Sequence, residues 1–350
     1  MPRFAPVRAR LASSLSLSLA LVTAMLVLGC GPESPQTPSF PLADGRLGQE
    51  LKNNVSETGA LTHLRALQKI ADENGGNRAS PGPGYDASVD YVAGVLRGAG
   101  YYVSTPTYEG SREDGGRERV TLRNVIAQTR TGDPGQVVTI GAHLDSVTKG
   151  PGIVDNGSGV ATLLEIAGHL GASPTVRNAV RFAFFGSEET GAEGSTGYVK
   201  NLSAEDRGKI ILYLNVDMVA SPNGGYFAQG GKGRDKSASG PPGSATVAHV
   251  LADQLGKTGV TAEFIEFVGD DEAPFVDANI PSGGAENGDR QPKSPEQAAA
   301  WGGQAGEKFD PCYHKACDRL DNVNLVVLDH YLHALAGTVA YFAMSEQRPV

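Results

Sequence analysis

Three short apolar segments in the middle of the chain each end next to residues that can bind a metal ion. The pairs are Val137–Ala142 with His143, Val180–Phe185 with Glu188 and Glu189, and Ile210–Val216 with Asp217. Runs of this length, rich in β-branched and aromatic residues, are typical of buried strands. Because ligands gather at the carboxyl ends of strands in open α/β sheets, we expect these side chains to converge at one edge.

Helical patterns alternate with the predicted strands. Apolar residues recur at helical spacing in Leu61–Ile70, Val89–Leu96, Val160–Leu170 and Leu325–Phe342. This alternation predicts an α/β fold, with a single doubly wound and mostly parallel sheet flanked by helices. About 300 residues suffice for one core, so we expect a single catalytic domain over residues 47–350.

The N-terminus has the order of a secretory signal. Arg3, Arg8 and Arg10 precede an uncharged stretch, Leu11–Cys30, dominated by Leu, Ala, Ser and Val. A permanent membrane helix is the alternative, but no basic stop follows the stretch. We therefore expect residues 1–29 to be a cleaved signal peptide.

The residues around the expected cleavage site predict a lipid anchor. Val27–Cys30 (VLGC) resembles the bacterial lipobox, in which the cysteine is acylated and becomes the first residue. Residues 30–46 are rich in proline and lack apolar periodicity, which is typical of an extended tether. We expect an exported lipoprotein held by Cys30 at the outer membrane or cell surface, or released from it, with no other membrane contact.

The predicted strand ends offer imidazole and carboxylate groups but no thiolate. That ligand set suits a hydrolytic zinc site or another borderline divalent ion. Asp155 lies on the loop after the first strand and could bridge two ions, and one residue of the pair Glu188-Glu189 could stay free as a general base. The net charge of −9 disfavours a nucleic-acid partner.

Together these segments resemble the secreted bacterial two-zinc aminopeptidases of metallopeptidase family 28. The likeness rests on HLDS at 143–146, GIVDNGSG at 152–159, FGSEE at 185–189, NVDM at 215–218 and DPCYHKACD at 310–318. The resemblance implies that His143 and Asp217 hold one zinc ion, that Glu189 and His314 hold the other, and that Asp155 bridges them. It also implies that Glu188 is the general base, that Tyr313 stabilises the oxyanion and that Asp145 orients His143.

Each assignment has a simpler alternative. Asp155 could cap the helix that follows it, and Glu188-Glu189 could be a solvated turn. The remaining histidines lie in helical patterns and are interpreted as structural or surface residues. Cys312 and Cys317 flank the Tyr313-His314 pair, and in an exported protein we expect them to form a disulfide that fixes this loop.

The resemblance implies removal of the N-terminal residue from peptides with a free N-terminus, with a preference for large apolar first residues. Before Ala273-Pro274-Phe275, however, an arginine expected by that resemblance is missing, and Asp270, Asp271 and Glu272 would make this wall acidic. The alternatives are a single-zinc glutaminyl cyclase-like or carboxypeptidase-like enzyme, or a lipid-anchored binding protein without catalysis. We expect a monomer with two zinc ions; the family's calcium ligands do not carry over to this sequence residue by residue, so no calcium site is assigned.

Overall fold

The computed structural model describes residues 45–112, 119–230 and 240–350. The predicted signal peptide, Cys30 and nearly all of the tether lie outside these residues. The helices are α1 Gly45–Asn54, α2 Glu57–Glu73, α3 Pro83–Gly98, α4 Gly157–Leu170, α5 Glu193–Asn201, α6 Ala204–Lys209, α7 Ser244–Lys257, α8 Ala273–Asp277, α9 Pro295–Trp301 and α10 Leu325–Met344, with a 3₁₀ turn at Leu320–Asn322. The strands are β1 Tyr102–Ser104, β2 Thr107–Gly110, β3 Val120–Arg123, β4 Val125–Gln128, β5 Asp133–His143, β6 Asn178–Phe185, β7 Ile210–Val216, β8 Phe227–Gln229, β9 Glu263–Ile265 and β10 Ser282–Glu286.

Eight of the described strands form one sheet, in the order β1-β4-β6-β5-β7-β10-β8-β9. Its centre is parallel, because β5 pairs in parallel with both β6 and β7, and β7 pairs in parallel with β10. Antiparallel pairs join β1 to β4, β4 to β6 and β10 to β8. The predicted α/β class with flanking helices is confirmed, although the sheet is mixed.

The three central strands are buried on both faces, as their apolar sequences predict. Every residue of β7 is buried, and β5 is buried from Val137 to its end at His143. The predicted and observed bounds of β7 agree. β5 and β6 begin earlier than predicted, where Asp133 pairs with Asn178 across an irregularity in the ladder. The carboxyl ends of β6, β5 and β7 therefore lie side by side.

The longest of the described helices closes the fold. α10 is apolar and long enough to cross a membrane, but 67% of its most apolar window is buried. It packs against α1 and α7, so its apolar length is explained by burial in the core. At the other end of the described chain, α1 begins at Gly45, two residues before the predicted start of the domain.

An aromatic cluster joins the central strands to α8. Phe275 of α8 stacks on Tyr213 of β7 with ring centroids 3.8 Å apart, and Phe185 and Tyr198 pack around this pair. All four side chains are buried. The cluster thereby fixes the segment just before α8, which contains the acidic residues 270–272.

Candidate metal centre

The predicted ligands follow adjacent strands of the sheet. His143 is the last residue of β5, Asp217 follows β7 directly, and Glu188 and Glu189 lie in the turn after β6. Asp155 precedes α4 on the loop that leaves β5. Since β6, β5 and β7 are parallel neighbours, their ends bring these residues together from distant parts of the chain.

Two groups of ligand atoms share Asp155. His143 Nε2 lies 3.2 Å from Asp155 Oδ1 and 3.4 Å from Asp217 Oδ1. His314 Nε2 lies 3.1 Å from Asp155 Oδ2 and 2.9 Å from Glu189 Oε2. Within each group the candidate ligand atoms all lie within 4.8 Å of one another. Each oxygen of Asp155 thus faces a different histidine, which is the arrangement of a bridging carboxylate.

These donors fit two zinc ions. With zinc bonds of about 2.0–2.1 Å at tetrahedral angles, neighbouring ligand atoms lie about 3.3 Å apart, close to the separations seen here. Among the predicted ligands, three buried carboxylate oxygens also accept no hydrogen bond: Asp155 Oδ2, Glu189 Oε1 and Asp217 Oδ1. Buried carboxylate oxygens without donors are costly, and a cation at these positions would compensate them.

Asp145 connects His143 to the turn after β6. The Nδ1 atom of His143 lies 3.2 Å from the backbone oxygen of Asp145, whereas the Asp145 carboxylate is 3.6 Å away. That carboxylate instead accepts from the backbone N–H groups of Glu188 (3.2 Å) and Glu189 (3.4 Å). The backbone of Asp145 therefore orients the imidazole, and its side chain positions the acidic pair.

The turn before α4 is held from both sides, which leaves the Asp155 carboxylate free to face the histidines. The side chain of Asn156, not that of Asp155, caps α4 by accepting from Gly159 N at 3.0 Å. The Asp318 carboxylate accepts from the backbone N–H groups of Val154 (2.7 Å) and Asp155 (3.1 Å). The interpretation of Asp155 as a helix cap is therefore wrong.

Asn156 also links this turn to the segment that carries Asp217. Its amide nitrogen donates to Val216 O at 2.8 Å, and its amide oxygen accepts from Met218 N at 3.2 Å. Asn156 is completely buried. A single side chain thus couples the loops after β5 and β7.

His314 comes from a loop that a disulfide closes. Cys312 and Cys317 are bonded, with their Cα atoms 5.3 Å apart, so the predicted disulfide is confirmed. His314 has φ of +55°, a left-handed conformation that is unfavourable for a residue with a side chain. Its ring stacks on Tyr313 with centroids 3.9 Å apart. Asp310 supports the loop by accepting from Cys312 N at 2.7 Å.

Burial and neighbouring charges shift the pKa values of several groups in the centre. Burial raises the pKa of Glu188, and the nearby Asp217 carboxylate raises it further, while His143 opposes this. Burial lowers the pKa of His314, but the adjacent carboxylates of Asp155 and Glu189 outweigh this and raise it to about 10. Burial also raises the pKa of Tyr313, so its hydroxyl stays protonated as a hydrogen-bond donor. The side chain of Glu189 is only 6% exposed, which excludes a solvated turn.

The ligands open onto a cleft of about 370 Å³. Glu188, Tyr313 and His314 line one part of it. The carboxylates of Asp270, Glu286 and Asp289 line the rest, with Met218, Val268, Arg290 and Gln291. Of the three acidic residues before α8, only Asp270 borders the cleft, because Asp271 and Glu272 are buried at 1% and 0% exposure.

Three supporting residues carried no signal in the sequence that we recognised: Arg78, Asn156 and the carboxylate of Asp318. Their partners are mostly backbone atoms of distant segments. Arg78 and Asp318 lie in segments that take part in the family resemblance, GNR at 76–78 and ACD at 316–318. Only that resemblance could have indicated that these two residues support the site. The histidines outside the centre lie in α2, α4, α7 and α10, in agreement with their predicted helical patterns; His63 of α2, for example, lies 2.7 Å from the Tyr91 hydroxyl of α3.

Comparison with known proteins agrees with this geometry. Residues 124–339, more than half of the chain, match the model of peptidase family M28. Leupeptin-inactivating enzyme 1 of Streptomyces exfoliatus is 39% identical over 346 residues, covering 93% of this chain and 70% of the relative. The probable lipoprotein aminopeptidase LpqL of Mycobacterium tuberculosis is 34% identical and covers 93% of both chains.

A solved structure shows the same fold. The aminopeptidase from Aneurinibacillus sp. strain AM-1 superposes with a TM-score of 0.65 at 17% identity, over 87% of this chain and 97% of that one. The predicted class of enzyme, a peptidase, is confirmed by the match to the family and by the two relatives. The chain belongs to peptidase family M28.

Proposed function

We propose that the chain is a two-zinc aminopeptidase that removes the N-terminal residue from peptides. The observation that carries the proposal is the pair of ligand groups that share Asp155, beside a cleft lined by Glu188 and Tyr313. Relatives named as aminopeptidases support the same activity. His143 and Asp217 would hold one ion, Glu189 and His314 the other, and Asp155 would bridge them.

The chemistry divides between the ions and two side chains. When bound, zinc ions polarise the scissile carbonyl and lower the pKa of a water molecule toward 7. The Glu188 carboxylate accepts the proton of the attacking water and passes it to the departing amine. The Tyr313 hydroxyl donates a hydrogen bond to the oxygen on which negative charge develops, where a preorganised donor is most effective.

An aminopeptidase must also bind a free ammonium group beside the scissile bond. The carboxylates of Asp270, Glu286 and Asp289 line the cleft next to the ligands and suit a cation. Burial raises the pKa of Glu286 to about 7, so a bound ammonium would favour its ionised form. We propose that this side of the cleft binds the substrate amine, and an acetylated peptide should then resist cleavage.

The first-residue preference is a separate proposal. Large apolar residues would contact Met218, Val268 and the Tyr313 ring, whereas a basic side chain would reach the same acidic wall as the ammonium. Rates on leucyl, alanyl, lysyl and arginyl chromogenic substrates separate the two. A rate on the leucyl substrate above those on the two basic substrates supports the apolar preference, and the reverse order overturns it.

Other enzymes of this fold remain as alternatives. A glutaminyl cyclase-like or carboxypeptidase-like enzyme would need one zinc ion, and a binding protein would need no general base. Two zinc ions per folded chain, measured by elemental analysis, support the proposed function; a single ion favours the first alternative.

The variant Glu188→Gln tests the mechanism. We expect it to keep both ions and to lose activity by several orders of magnitude, because the amide cannot accept a proton. Glu205→Gln, an exposed carboxylate of α6, is the matched control and should be fully active. Unchanged hydrolysis by Glu188→Gln would remove the proposed base.

We further propose that the enzyme is an exported, monomeric lipoprotein anchored at Cys30. The relative named a lipoprotein aminopeptidase supports this location. Labelling of cells with a palmitate analogue should mark the wild-type protein and leave Cys30→Ser unlabelled. Light scattering of the released domain gives its oligomeric state.

A further inference from the structure

Arg78 lies beneath the metal centre but belongs to neither group of ligands. It sits in the connection between α2 and α3, and it is completely buried. Its guanidinium donates to three backbone oxygens: Nε to Pro151 at 2.9 Å, Nη2 to Gly152 at 2.5 Å, and Nη1 to Leu144. One rigid fork thus holds both ends of the loop 144–152.

The same loop is held by the backbone of Arg78. Arg78 N donates to Ser146 Oγ at 2.9 Å, and Ser146 N donates back to Arg78 O. Ser146 Oγ in turn lies 3.0 Å from Gly150 O. This loop has no strand or helix of its own, and it connects His143 to Asp155. Its shape therefore decides how these two ligands face each other.

The charge of Arg78 is also unusual. A buried cation normally pairs with a carboxylate. Among the described residues, however, no carboxylate lies within ion-pair distance of Arg78. The nearby carboxylates that attract it at longer range are those of the centre, Asp145, Asp318, Asp155 and Glu189. The guanidinium consequently serves as a fixed positive charge under the acidic cluster while its donors bind the loop.

We propose that Arg78 is a positioning residue of the metal centre, which holds the loop 144–152 so that Asp155 faces both histidines. The inference rests on the proposed two-zinc function. Because Asp155 belongs to both ligand groups, a change in the conformation of this loop should lower the affinity for both ions together. Lysine keeps the charge but replaces the planar guanidinium and its several N–H donors by one ammonium group, whereas glutamine removes the charge as well.

The test compares Arg78→Lys and Arg78→Gln with the wild type by competition for zinc against a chromophoric chelator. Supporting residues of this kind typically change metal affinity by about 10–100-fold. We expect the zinc affinity at both sites to fall by about 10-fold in the lysine variant and by about 100-fold in the glutamine variant. Added zinc should restore kcat with little change in KM. Val250→Ala, a core truncation in α7, should lower the melting temperature but leave zinc affinity unchanged.

The outcomes separate the inference from the function on which it rests. If the wild type binds two ions and both folded Arg78 variants bind them equally well, Arg78 has no positioning role and the aminopeptidase proposal stands. If the wild type does not bind two zinc ions, the proposed function itself fails, and this inference fails with it.

A variant that does not fold still leaves a test. Ser146→Ala removes the hydroxyl that links Arg78 N to the loop, and circular dichroism checks its fold. It should weaken zinc binding severalfold at both ions, and unchanged affinity would overturn the inference.

Discussion

Removal of the disulfide between Cys312 and Cys317 should weaken the binding of one of the two proposed metal ions and leave the binding of the other unchanged. The left-handed conformation of His314 costs about 1–2 kcal/mol for a residue with a side chain. Such strain persists only where the surroundings enforce it, and the disulfide closes the loop around this residue. If Cys312→Ala/Cys317→Ala lets His314 relax, binding of the ion proposed at Glu189 and His314 must restore the strained conformation and becomes weaker by that energy. At about 1.4 kcal/mol per tenfold change, its affinity should fall by about 5- to 30-fold.

The effect on the free energy of unfolding of the metal-free protein should be no larger, because relief of the strain at His314 offsets part of the lost loop constraint. Closing so short a loop restricts the unfolded chain by about 2 kcal/mol at most. Zinc competition should therefore show weaker binding of one ion and unchanged binding of the other, while the free energy of unfolding of the metal-free protein in urea falls by about 2 kcal/mol at most. Ala316→Ser, in the same exposed loop, is the control with the disulfide intact. Equal weakening of both ions, or of neither, would refute the argument from loop geometry.

Three further predictions concern stability. Asn156→Ala should cost about 2–4 kcal/mol in urea unfolding of the metal-free protein, because it removes a helix cap and leaves buried backbone groups without partners; a loss below about 1 kcal/mol would contradict this. Burial raises the folded pKa of Glu286 to about 7, so the native state holds a proton that the unfolded state loses. The contribution of Glu286 to the free energy of unfolding of the metal-free protein should thus fall, by about 3 kcal/mol at most, as pH rises from about 4.5 to about 7, and Glu286→Gln should make the overall dependence less steep; an unchanged slope would contradict it. Gly194→Ala should lower the melting temperature and the activity together, because a Cβ there would lie 2.3 Å from the backbone oxygen of Gly186, and a fully active, equally stable variant would show that this turn can shift.

The strand ends were predictable because one physical rule connects them. A buried strand pattern fixes where the strand stops, and parallel neighbours bring their ends to one edge, so His143, Glu189 and Asp217 could be grouped from the sequence. The strand order was not predictable, because strand pairing leaves no mark in a single sequence. The antiparallel pairs at β4 and β8 came only with the structure.

The loop residues follow no such rule. His314 and Tyr313 lie in a segment without periodicity, and only the family resemblance indicated them. The supporting residues Arg78 and Asp318 were harder still to predict, because their side chains bind backbone atoms of segments at least 66 residues away. Backbone oxygens and N–H groups are present at nearly every position, so no residue pattern marks the ones that matter. The acidity of the cleft wall before α8 was overestimated for a related reason. Asp271 and Glu272 are buried and do not line the cleft, and their burial depends on packing around Phe275, which the sequence pattern does not show.

The two roles of Asp145 limit how such a site can diverge. Its backbone oxygen sets the ring of His143, and its carboxylate holds the N–H groups of Glu188 and Glu189. A substitution that removes this carboxylate would therefore disturb the turn that carries both Glu189, a proposed zinc ligand, and Glu188, the proposed base, so metal affinity and proton transfer should change together. Substrate preference, which depends on residues across the cleft such as Asp270, is free of that constraint. We therefore expect homologous enzymes to differ first in the peptides they cleave, while the hydrolytic apparatus varies only by concerted replacement or is lost as a unit.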